Sequence, residues 1–148
     1  MVSAGCDIMN AGLAYMAKID KRVLVVVSNP DLRKTIAMEL AEYFPEEKIY
    51  ESADERDALW QASAVFPEVL ITSFNEERVR ASDLLVRIRN LNHSVKGFVV
   101  YSPESAEYER ALKDALYDNM SYAGMAAVRL EDLRSALRVA FGAVGGAA

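Results

Sequence analysis

Apolar positions along the chain follow two alternating rhythms. Short unbroken apolar runs are separated by stretches in which apolar residues recur every third or fourth place. Residues 23–27 form a continuous run rich in β-branched side chains, which predicts a strand buried on both faces. Residues 30–44 follow, with Leu32, Ile36, Leu40 and Phe44 at helical spacing, and Pro30 suits a first helical turn. The alternation then repeats. Strands are predicted at 48–51, 69–72, 98–101 and 125–128, and helices at 54–66, 82–91, 105–117 and 130–141.

Strands separated by helices of this length require right-handed crossovers and a parallel sheet covered on both sides. Five such units predict an α/β chain: a flavodoxin-like, doubly wound (βα)5 three-layer sandwich with a parallel five-stranded sheet in the order 2-1-3-4-5. The repeating part spans residues 21–141. Residues 1–20 stand outside it as an extension. Ile8, Met9, Leu13, Met16 and Ile19 have loose helical spacing, and Asp7 is placed to cap such a helix. Residues 142–148 are small and Gly-rich, as in a flexible tail. In doubly wound folds, sites form where the strands end at their C-terminal edge. That directs attention to Val27, Ser28, Ser73, Ser102 and the end of the fifth strand.

Val23 begins the stretch Val-Leu-Val-Val-Val-Ser-Asn-Pro-Asp-Leu-Arg-Lys. It resembles the opening of a bacterial response-regulator receiver domain, which usually reads Val-Leu-Val-Val-Asp-Asp-Asn-Pro-Asp-Leu-Arg-Lys. A second stretch, Pro67-Glu68-Val69-Leu70-Ile71-Thr72-Ser73-Phe74-Asn75, is similar to the receiver pattern Pro-Asp-Val-Leu-Ile-Thr-Asp-Phe-Asn. The likeness covers about residues 22–141. Against that family, the two acids that hold Mg²⁺ fall on Val27 and Ser28, and the phospho-accepting Asp falls on Ser73. The switch Thr/Ser falls on Ser102. The Lys-Pro pair that ends strand five falls near Ala126, and no Lys occurs after Lys113.

The resemblance therefore implies a receiver frame without its chemistry. Phosphoryl transfer to a carboxylate needs charge neutralisation by a metal and a cation, and Mg²⁺ takes oxygen ligands, usually carboxylates. Both acids and the acceptor are replaced. Ser73 would need a base and a metal to stand in for the acceptor. Asp31, Glu76 and Glu77 read as a solvated acidic rim beside Arg78 and Arg80. His93, the single His, has no partner acid spaced to orient it. Ser28-Asn29-Pro30 lacks the glycines of a flavin-phosphate loop. The expectation is no enzyme activity, no metal and no cofactor.

Binding is what remains. In receivers the surface of the fourth helix, fifth strand and fifth helix is the partner and dimer face. Here it would include Tyr108, Tyr117, Tyr122, Leu130, Arg134 and Arg138, with Trp60 as a separate candidate. Aromatic and Arg side chains are enriched at binding hot spots. The expected function is a non-phosphorylatable pseudo-receiver that engages a protein partner, or a second copy of itself, in bacterial signal transduction or regulation. The alternative is a small-molecule sensor that uses the vacated acidic pocket.

Composition narrows the field further. The 148 residues suffice for one domain, and 52% are hydrophobic against 26% charged, an ordinary soluble balance. A net charge of −5 argues against direct nucleic-acid binding. No apolar run is long enough for a membrane span, and the N-terminus has no cationic start of the kind a signal peptide carries. The single Cys6 allows no intrachain disulfide and fits a reducing cytoplasm.

Overall fold

The computed structural model describes residues 18–73, 81–101 and 125–141. Among these residues the chain forms β1 (Val23–Val26), α1 (Pro30–Leu40), β2 (Ile49–Ser52), α2 (Glu55–Val65), β3 (Val69–Ser73), α3 (Ala81–Leu91), β4 (Lys96–Tyr101), β5 (Met125–Arg129) and α4 (Leu133–Ala140). All neighbouring strands pair in parallel, in the order β2-β1-β3-β4-β5. This is the flavodoxin-like order that the alternation predicts. The expected helix at 105–117, the extension before residue 18 and the tail at 142–148 lie outside the described residues.

The sheet divides two apolar layers, and strand parity assigns each residue to one of them. Leu24, Val26, Leu70 and Val99 face α2 and α3, where they meet Ala58, Ala62, Leu84, Leu85 and Ile88. Val23, Val25, Val27, Val69 and Ile71 face α1 and α4, where they meet Ile36, Leu40, Leu133 and Leu137. Every residue of β1 is buried. That is why its run shows no polar alternation: both faces are covered by helices.

Helix ends follow local chemistry. Asn29 caps α1, its Oδ1 accepting from the backbone N–H groups of Asp31 at 2.9 Å and Leu32 at 3.0 Å. Asp54 caps α2 by accepting from the Asp57 N–H at 2.8 Å. One helix is shorter than its apolar spacing suggests. α1 stops at Leu40, and residues 41–43 form a turn. Phe44 precedes Pro45, whose ring disfavours helical backbone at the residue before it. The turn still delivers Tyr43 and Phe44 into the core. The predicted closing helix likewise begins as a 3-10 turn, Leu130–Asp132, before α4. Three strands run longer than predicted: β4 begins at Lys96, β3 reaches Ser73, and β5 reaches Arg129.

Candidate functional site

The C-terminal edge of β1 and β3 is the candidate site. Val27 continues β1, with its N–H donating to Ser52 O at 3.1 Å and its side chain wholly buried in the layer under α1. Thr72 is also buried, and its hydroxyl donates to Val26 O at 2.7 Å, so β1 and β3 are tied by a side chain as well as by their ladder. The pairing of Val25 with Ile71 places Val27 and Ser73 in the same row one pleat further on. Ser73 is buried, and Ser28 is half-buried at the lip. The positions that the family resemblance assigns to an acid and to the phospho-acceptor thus sit side by side and carry an isopropyl group and a hydroxyl.

A cation already occupies the flank of this edge. Arg33, on the second turn of α1, donates through Nη1 to Val27 O at 2.8 Å, and its Nε lies 3.4 Å from Glu51 Oε1. The capped start of α1 fixes where Arg33 emerges. The Glu51 carboxylate comes from the end of β2, so the guanidinium bridges two strand ends. Next to it, the buried Ser52 hydroxyl donates to Asp57 Oδ2 at 2.7 Å, and Gln61 donates to the same oxygen at 2.9 Å. Asp57 is thereby committed to securing α2 against β2. Asp31 is exposed. Among the described residues no three His, Cys, Asp or Glu side chains come together as metal ligands. Glu76, Glu77 and Ser102 lie outside the described residues.

The end of strand five requires a correction. Ala126 pairs with Phe98, and Arg129 pairs with Tyr101, the last residue of β4. The strand therefore runs to Arg129, one residue past the predicted end at 128, and Ala126 lies inside it rather than at its end. Val128, through Val100, is level with Ser73, and Arg129 stands one residue beyond. Arg129 Nη1 lies 4.0 Å from Glu131 Oε2. A cation does stand at this strand end, although no Lys does.

The expected partner face is only partly described. Tyr108, Tyr117 and Tyr122 lie outside the described residues. Leu130 is half-buried against the α1 layer, and Arg138 is exposed. Arg134 is half-exposed and makes contacts within the domain. Its guanidinium bonds Glu42, lies 3.5 Å from Glu39 Oε2, and stacks 5.0 Å from the Tyr43 ring centroid. The Glu42 bond raises its already high pKa. Arg134 thus pins α4 to α1 within the domain. Trp60 is on the outer face of α2 and 70% exposed, because the helical period turns Ala58 and Ala62 inward. Sequence reading missed Arg33, although its place five residues after Ser28 was visible. It also missed the Arg134–Tyr43 contact, which joins elements far apart in the chain and leaves no local signal.

Among the described residues no helix is long and apolar enough to cross a membrane. No protein-family model matches the sequence, and no curated protein matches it either. Solved structures do match in fold. The N-terminal domain of an uncharacterized protein from Wolinella succinogenes is 17% identical, with a TM-score of 0.60 over 82% of this chain and 93% of that one. A CheY-like response regulator receiver domain protein from Methanospirillum hungatei is 16% identical, with a TM-score of 0.58 over 82% of this chain and 94% of that one. A two component transcriptional regulator AraC from Clostridium phytofermentans is 18% identical, with a TM-score of 0.61 over 82% and 92%. The chain shares the receiver fold across most of its length.

Proposed function

We propose that this chain is a receiver-like domain that does not accept a phosphoryl group and acts as a protein-interaction module in bacterial signalling or regulation, in the cytoplasm. The observation that carries the reading is Val27: an apolar side chain, wholly buried, stands where the resembling family places a metal-holding acid. A hard divalent ion needs oxygen ligands at that point, and Val offers none. Ser28 and Ser73 on either side offer hydroxyls, which are poor ligands for Mg²⁺ without a carboxylate. The flanking Arg33 guanidinium adds positive charge and further disfavours a cation there. With no phosphate to bias two states, conformation can shift only through a partner's differential affinity. The surface of β5 and α4 is the one we assign to that partner or to a second copy.

The test is thermal unfolding with Mg²⁺ and beryllofluoride, a phosphoryl analogue. A ligand at 100 times its Kd would add about 2.7 kcal/mol. For a domain of this size that is a melting shift of several degrees. The expected result is no shift. A Mg²⁺-dependent rise would overturn the reading.

A further inference from the structure

The opposite edge of the sheet, where the strands begin, holds a cleft of about 470 Å³. Its wall is built from Lys21 before β1, Glu68 before β3, Arg89 near the end of α3, His93 in the following turn, Lys96 opening β4, and Phe141 after α4. The volume falls in the ordinary range for small-molecule sites. The turn that presents His93 is fixed from both sides. Asn92 Nδ2 donates to Pro67 O at 2.8 Å, and Asn92 Oδ1 accepts from Ser94 N at 3.1 Å. Arg89 Nε donates to Val95 O at 3.1 Å, which orients its guanidinium along the cleft wall. Lys96 N donates to Glu68 O at 3.1 Å. The cleft is therefore a pre-formed shape held by backbone and amide bonds.

Its charge runs against that of the chain. The whole protein carries −5, yet among the described residues three cations and one carboxylate line this cleft. The carboxylate is engaged: Glu68 Oε1 accepts from Arg22 N at 3.0 Å, and Oε2 lies 3.8 Å from Lys21. Lys21 also lies 5.9 Å from the Phe141 ring centroid. Lys96 is exposed and has no carboxylate partner among the described residues. Ammonium, guanidinium and imidazole groups approach from three different elements. A planar carboxylate is satisfied by one guanidinium fork, whereas a tetrahedral oxyanion uses donors from several directions.

We infer that this cleft binds a small phosphorylated ligand of about mononucleotide size, with its phosphate among Arg89, His93 and Lys96 and its apolar part toward Phe141. The site lies at the far edge of the sheet from Val27 and does not depend on the pseudo-receiver reading. The test uses the intact chain and adenosine 5′-monophosphate as the probe, followed by amide NMR shifts in 150 mM NaCl, with citrate as a carboxylate control. The expected result is saturable shifts confined to Lys21, the 93–96 turn and Phe141. The double variant His93→Gln with Lys96→Gln should weaken binding at least tenfold while leaving the circular-dichroism spectrum unchanged, because both side chains are exposed. Shifts that rise linearly and spread over the surface would overturn the inference. So would citrate binding as tightly as the nucleotide, or unchanged affinity in the double variant.

Discussion

Replacing Val27 with Asp restores one of the acids that the resembling family carries, and its energetic effect can be worked out from the structure. The side chain is wholly buried against Val25, Ile36 and Ile71. Removing that apolar burial forfeits up to about 1.5–3 kcal/mol. The new carboxyl must then be neutral or paired. Staying neutral at pH 7 from an ordinary value near 3.9 means a rise of about three units, or roughly 4 kcal/mol at 1.36 kcal/mol per unit. Arg33 offsets part of this, but it already donates to the Val27 carbonyl and faces Glu51. The expected loss at pH 7.5 is therefore about 3–5 kcal/mol, which a domain with about 5–15 kcal/mol of stability can survive. The sign with pH follows from burial. A folded-state pKa raised above the unfolded value means the native state keeps its proton longer, so stability is lost as pH rises from about 4 through the folded pKa. The gap between wild type and Val27→Asp should widen by roughly 2 kcal/mol between pH 5.0 and 7.5. Urea denaturation of both proteins at the two pH values measures it. A gap below about 1 kcal/mol at pH 7.5, or one that narrows as pH rises, would show position 27 to be paired with Arg33 or reached by water.

Three further outcomes are expected. Phe66 ends α2 at φ 50°, a left-handed conformation that is strained for a residue with a Cβ, and it is half exposed; Phe66→Gly should therefore be neutral or stabilise by up to about 1 kcal/mol in urea melts. Burial, reinforced by Glu39, pushes the Tyr43 phenol above its usual range. Its contribution is thus complete below pH 10 and lost above it, and the fall in urea midpoint between pH 10 and 11 should be shallower in Tyr43→Phe. A double-mutant cycle on Arg134 and Glu42 should give a coupling of about 0.5–1 kcal/mol, because the pair is partly exposed, and it should shrink in 0.5 M NaCl. A cycle on Arg134 and Tyr43 should keep its coupling in that salt.

The order of elements and the sheet topology were legible because both rest on local periodicity. A β-branched run such as 23–27 can be satisfied only between two helical layers, and helices of ten or more residues between strands force parallel crossovers. That Val27 and Ser28 stand where the resembling family carries acids was also legible in sequence alone, since the residues flanking them match that family's pattern. What the sequence could not supply is which residues stand level across the sheet. Arg129 rather than Ala126 meets the end of β4 because of the register in which β5 pairs, and no periodicity encodes that register. Arg134 lies 92 residues from Glu42 yet bonds it. Lys21, Glu68, His93 and Phe141 meet in one cleft though they come from four separate parts of the chain. Hydrophobic patterning acts through neighbours three or four places apart and so specifies elements and their buried faces. Contacts between polar groups on different elements depend on crossover geometry and strand register, which exist only once the whole sheet is assembled.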